Sequence, residues 1–319
     1  PITAGTHLMA RNTVIELAAG AATPVVSNAP QTGADWARSG GGLGGGHPLY
    51  QVLSLIIATF LGEMGLPHVL VRFYTNPDGR AARRTALTVI AALSVFYLFP
   101  TILGVLARAW VPQVLAIGTA DAAILLLPSA ATGGVLAIAL SALIAAGAMA
   151  AFLATSSGLL VSVAGVMSTD LMPPGVRSFR ICALIGGAIP IAIALSAGSL
   201  ELSKSVGLVF AVSASTLCPL LVLGIWWRGL TAAGAIAGLA VGAVASAVAV
   251  GVSVAGVITG DGWLAVLAGY PAAVTVPLAF ATMISVSLAT RARIPAGNAG
   301  VFARMHVPER LGLGVERTP

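Results

Sequence analysis

Charge is scarce in this chain. Asp, Glu, Lys and Arg make up only 8% of its 319 residues, about a third of their share in soluble globular domains. With 58% hydrophobic residues and a mean hydropathy of +0.99, the composition excludes a soluble domain and reads as an integral membrane protein. Cysteine is nearly absent as well. Cys182 and Cys218 stand 36 residues apart in apolar segments, without zinc or disulfide spacing, and read as small apolar packing residues. Catalytic constellations are missing too: the sequence has no paired carboxylates, no His-x-x-Glu-type metal spacing, no Walker loop and no Gly-x-Ser-x-Gly elbow. Its four histidines are scattered at His7, His47, His68 and His306. An enzyme is therefore not expected, nor any cofactor or metal centre. No signal-peptide pattern opens the chain.

What the chain does have is long apolar stretches between sparse charges. Crossing a hydrocarbon core of about 30 Å takes about 20 helical residues, and seven stretches are long enough: 49–72, 86–107, 134–166, 180–199, 206–226, 232–257 and 264–288. The expected fold class is all-α and polytopic, with about seven transmembrane helices. The uncharged stretch from Asp121 to Asp170 exceeds one crossing. Pro128, Gly133 and Gly134 suggest a re-entrant or surface helix before the span proper.

Basic residues set the orientation. Counted over alternate loops, twelve arginines fall on one side and only Arg11, Arg38, Arg108 and Lys204 on the other, which places the C-terminus in the cytoplasm and residues 1–47 outside. The net charge of +6 is thus a matter of topology and attraction to anionic lipid, with no nucleic-acid partner implied. Residues 1–47, with "SGGGLGGG", have the composition of a flexible extracytoplasmic loop. Residues 48–290 form the membrane domain, and 291–319 form a basic cytoplasmic tail. Opening on Pro1 rather than methionine, the sequence reads as a piece of a longer product.

Several polar or small residues stand out inside the spans. Glu63 lies in the first span, where a carboxylate costs about 2.5 kcal/mol or more and usually faces a cavity, an ion path or a cation. It reads either as a substrate or coupling residue or as a locally hydrated glutamate bonded to His68 or to broken backbone. Gly65-Leu66-Pro67 follows, a bend or break whose freed backbone groups need protein or a polar cavity around them. The third span carries Thr155, Ser156, Ser157, Ser162 and Ser168. Such hydroxyls either bond back to their own helix or offer the neutral oxygens that hard cations prefer. Gly234, Gly238 and Gly242 lie four apart, the spacing of a close helix-packing face in lipid.

Three segments carry a family resemblance: "GLPHVLVRFYTNPDGRAARRT" from Gly65 to Thr85, "CPLLVLGIWWRGLTAAGAIAGLAVG" from Cys218 to Gly242, and "HVPERLGLGVER" in the tail. They resemble the sodium/solute symporters, and among these the bacterial cation/acetate and monocarboxylate symporters. The resemblance implies the LeuT-type fold of two inverted five-helix repeats. The first five spans here would be the second repeat and the last two the additional C-terminal helices, so the N-terminal half of the same transporter would be the missing partner.

It also implies uptake of a small monocarboxylate such as acetate, propionate or pyruvate, coupled to Na+ or H+ by alternating access across the cytoplasmic membrane. The first span would line the substrate pocket through Glu63 and Pro67. Glu63 departs from the aromatic or polar residue usual at that place, and an acid there would repel a carboxylate unless protonated or paired, which keeps a proton role open. Counting back from Asp170, the family's cation site falls on Ala151, Ala154 and Thr155, with Ala154 in place of a hydroxyl residue. A small loop variation puts Arg228 one place before Gly229, where the family usually has its basic residue. The alternative is a non-transporting membrane module that lacks the first repeat.

Overall fold

The computed structural model describes residues 47–66, 69, 76–111, 122–173, 175–196, 202–258, 262–294 and 297–306. Among these, all regular structure is helical: α1 (Pro48–Met64), α2 (Gly79–Trp110), α3 (Ala123–Ala131), α4 (Gly134–Asp170), α5 (Val176–Ser196), α6 (Leu202–Trp226), α7 (Ala232–Val254), α8 (Trp263–Gly269), α9 (Ala272–Ala289) and α10 (Asn298–His306), with a 3-10 turn at Arg291–Arg293. Within α2, α4, α6, α7 and α9 lie stretches long and apolar enough to cross a membrane, and α1 is a shorter apolar helix. The protein is therefore a polytopic all-helical membrane protein.

Two helices begin at side-chain caps. Asp78 accepts a hydrogen bond from the Ala81 amide at 2.6 Å at the start of α2, and Thr231 Oγ1 accepts one from the Gly234 amide at 3.1 Å at the start of α7. Each satisfies a donor that has no intrahelical partner. The surplus before the third span is a separate helix, α3, as the glycine and proline signals indicate. α4 itself runs 37 residues without a break, roughly 55 Å at 1.5 Å per residue, so it exceeds the hydrocarbon thickness.

Helix α1 ends at Met64, just before the break expected at Gly65-Leu66-Pro67, and residues 67, 68 and 70–72 of the expected first span lie outside the described residues. The last span is split: α8 stops at Gly269, Tyr270 leaves the helix at φ −135° and ψ 67°, and α9 starts after Pro271. Proline disfavours helical backbone in the residue before it and has no amide hydrogen of its own, so Gly269-Tyr270-Pro271 breaks the helix as a second Gly-x-Pro.

The helices pack in two groups. One consists of α1, α6, α7, α8 and α9; the other is the series α2, α3, α4, α5, and every substantial packed helix pair falls inside one group or the other. In the first group α6 is central: 39% of its most apolar stretch is buried, against none of that in α2. Its core is made of small residues, Ala58, Ala211, Ala214 and Ala272 with Val276, which lets backbones approach closely where lipid removes the hydrophobic drive between helices. Gly234, Gly238 and Gly242 are all buried and do pack helix on helix, facing Met283, Ser287 and Ser215. Cys182 and Cys218 are buried free thiols.

Candidate functional site

The end of α1 is where the chain leaves helical geometry inside the apolar region. Its last turn closes by bonds three residues back, Gly65 N–H to Gly62 O at 3.0 Å and Leu66 N–H to Glu63 O at 3.4 Å, which tightens the coil toward 3-10 form. The Gly62 carbonyl, no longer serving a full α-helical turn, also accepts a hydrogen bond from Ser213 Oγ of α6 at 2.8 Å. Both glycines of this turn lie against α6. A Cβ on Gly62 would stand 2.5 Å from the Phe210 carbonyl oxygen, and one on Gly65 2.6 Å from Ser213 Oγ. The end of α1 is thus seated on α6 by backbone contact and one buried hydroxyl.

Glu63 sits in that same turn on the opposite side, exposed together with Met64, while Gly62 and Gly65 are buried. It makes no side-chain hydrogen bond or ion pair with another described residue. Pro67, the other expected substrate residue, and His68, the alternative partner for Glu63, lie outside the described residues.

The expected cation residues fall on α4. Ala151, Ala154 and Thr155 are all exposed, as are Ser156 and Ser157. Ser157, Ser162 and Ser168 donate back to their own helix, to the carbonyls of Ala154 at 3.0 Å, Gly158 at 2.9 Å and Gly165 at 2.9 Å. Thr155 and Ser156 make no side-chain hydrogen bond to another described residue. Glu63 and Thr155 belong to different helix groups, so the described packing does not bring the substrate and cation residues together.

A second polar junction was not singled out from the sequence. At the break between α8 and α9, Ser54 Oγ donates to Tyr270 O at 2.6 Å and accepts from the Ala273 amide at 3.1 Å. Tyr50 adds its hydroxyl to the same Tyr270 carbonyl at 3.0 Å. Tyr50 and Ser54 are four apart and so share one face of α1, and they supply the hydrogen bonds that the broken helix cannot make internally. A cavity of about 90 Å³ lies beside this junction, with Lys204 at its wall. The available signals were an i, i+4 pair of hydroxyl residues in an apolar helix and the Gly-Tyr-Pro.

Helix α1 therefore has hydroxyl residues clamping a broken helix at one end and its own break at the other. The Sodium:solute symporter family model matches residues 3–242. The chain belongs to the sodium:solute symporter family. The match begins within the Gly-rich N-terminal stretch and ends at Gly242, before α8 and α9. The chain is 30% identical to a monocarboxylic acid transporter of Corynebacterium glutamicum over 285 residues, which are 83% of this chain and 50% of that protein. It is 31% identical to an uncharacterized symporter, YwcA, of Bacillus subtilis over 250 residues, 72% of this chain and 48% of that protein. With an uncharacterized symporter of Cupriavidus necator it shares 30% identity over 298 residues, 76% and 42% of the two chains. The chain spans about half the length of the curated relatives it matches. No solved structure matches it. Members of this family are transporters rather than enzymes.

Proposed function

We propose that this chain is the C-terminal half of a sodium-coupled symporter that takes up a short monocarboxylate, such as acetate, propionate or pyruvate, across the cytoplasmic membrane. The similarity over 83% of the chain to a protein named for monocarboxylic acid transport carries the substrate class. The family carries sodium; a proton role rests on the chemistry of Glu63 alone. The C-terminus lies in the cytoplasm in this reading, in keeping with the twelve-to-four arginine and lysine asymmetry.

The residues divide the work between the two helix groups. Glu63 and Pro67 line the solute pocket at the end of α1, whose position is fixed by Ser213 on α6. Thr155 offers a hydroxyl oxygen, and Ala151 and Ala154, having no side-chain donors, offer only backbone oxygens to a hard cation. The exposed faces of α1 and α4 bearing these residues would be completed by the N-terminal half. Loading of sodium on one group and solute on the other then favours movement of one group against the other, and the site opens alternately to the two sides.

The test is uptake of labelled acetate, propionate and pyruvate into liposomes holding the full-length protein. An imposed inward sodium gradient is expected to drive accumulation of at least one of them. Absence of uptake for all three, under sodium and under proton gradients, overturns the proposal in favour of a non-transporting membrane module.

A further inference from the structure

α10 is held against the turn between α6 and α7: Asn298 Nδ2 donates to Arg228 O at 3.0 Å, the Arg228 guanidinium lies 5.8 Å from the Phe302 ring centroid, and the His306 ring meets Trp226 edge-on at 5.5 Å. The turn is tied in its own right to the end of α9, through Thr231 to Thr290 at 2.7 Å and the Thr231 amide to Ser287 Oγ at 3.2 Å. Three span ends and one short helix are thereby gathered at one level.

Two properties of this level point to a ligand. The first is charge. Arg228, Arg291 and Arg293 are all exposed, and Asp261 is the sole acidic residue between Glu201 and Glu309. The described residues 202–258, 262–294 and 297–306, which build this level, contain no acidic residue. The second is an outward apolar rim. Phe302 is buried inward, whereas Val301 and Met305, four residues apart on one face, are 49% and 53% exposed, and Trp226 is 74% exposed. Tryptophan at the end of an apolar span marks the headgroup level. A helix with an apolar stripe beside basic residues at that level lies in the plane of the interface.

We infer that this surface is a binding site for anionic phospholipid. α10 lies in the headgroup plane with Val301 and Met305 turned into the acyl boundary, and Arg228, Arg291 and Arg293 pair with the lipid phosphate. The occupant is a lipid rather than a free anion because exposed apolar residues, Val301, Met305 and Trp226, stand at the same helix ends as the exposed arginines, and a ligand with both a charged head and an apolar tail would cover both. The inference does not depend on the transported solute.

The experiment is a titration of the full-length protein in neutral detergent with phosphatidylglycerol, phosphatidylcholine and inorganic phosphate, bound lipid being counted by native mass spectrometry. Phosphatidylglycerol is expected to bind in preference to phosphatidylcholine. An Arg228→Gln, Arg291→Gln, Arg293→Gln variant is expected to weaken that binding by about fivefold per arginine, roughly a hundredfold in all. An unchanged preference in the variant overturns the site, and displacement of the lipid by millimolar phosphate overturns the lipid in favour of a simple anion. A second readout needs no loss of charge: spin labels on Val301→Cys and Met305→Cys in phosphatidylglycerol nanodiscs should contact oxygen rather than a water-soluble relaxant, with the reverse for Ala303→Cys. Equal wetting of all three positions overturns the in-plane helix.

Discussion

Replacing Gly242 by alanine adds one methyl group, and the structure places it where nothing can give. The new Cβ would collide with the Ser215 carbonyl oxygen, lie 2.8 Å from the Ser215 carbonyl carbon and stand 3.2 Å from Ala279 Cβ. The obstacle is backbone on α6, so relief requires α6 and α7 to part. Opening a packed seam by even 0.5 to 1 Å forfeits about a quarter to a half of its dispersion contacts, and overpacked cores generally lose about 1–3 kcal/mol. The expected cost is near the top of that range. Gly238→Ala should cost less, because the atoms nearest its Cβ belong to the Met283 side chain rather than to backbone, at 2.7 Å to both Cβ and Cε. Gly251→Ala is the control on the same helix, with nothing within 4 Å of its Cβ; it should match or exceed wild-type stability, since alanine is the better helix former. Reversible unfolding of the full-length protein in detergent or nanodiscs reads all three. If Gly242→Ala proves as stable as Gly251→Ala, the close approach of α7 to α6 described here is wrong.

Ser54→Ala should destabilise the α8–α9 break by about 1–2 kcal/mol, because the Ala273 amide loses its partner while Tyr270 O keeps Tyr50; protease nicking near Tyr270 measures it, and unchanged resistance refutes the clamp. Thr155→Ala should raise the sodium concentration for half-maximal uptake about tenfold, equal to 1.4 kcal/mol, and an unaltered sodium dependence would remove Thr155 from the cation site. For Glu63, a carboxylate beside the solute disfavours a carboxylate solute, so Glu63→Gln should lower the solute concentration for half-maximal uptake, and an unchanged half-saturation would remove Glu63 from the solute pocket.

How much of this was legible in advance depended on the range of the interaction. The spans were readable because hydropathy is a property of each segment alone, and the caps at Asp78 and Thr231 are local as well. The glycine stripe at Gly234, Gly238 and Gly242 was read as a packing face, but its partners could not be: Ser287, Met283 and Ser215 are brought to it only by the tertiary arrangement. The same limit hid Ser213, whose hydroxyl reaches a carbonyl 151 residues away. One miss was avoidable. Gly65-Leu66-Pro67 was read as a break, yet Gly269-Tyr270-Pro271, with the same punctuation, was passed over inside an apolar stretch that was long enough for one span.

That second break bears on how α1 could move. Tyr50 and Ser54 tie the first half of α1 to Tyr270 and Ala273, and Gly62 ties its last turn to Ser213. A helix held at both ends to α9 and α6, across a core of alanines that leaves little slack, moves with that group as a unit. The joint of this group is then the turn at Gly65 and Leu66, where the bonding pattern has already loosened to three-residue steps. Stiffening the group should therefore leave solute affinity in place, while altering Leu66 should slow turnover. Ser213→Ala separates the two. If its sole effect is to free the end of α1, half-saturation for solute should worsen with sodium dependence unchanged. A shift in sodium dependence instead would mean that the two helix groups are coupled through α6, and that the joint lies elsewhere.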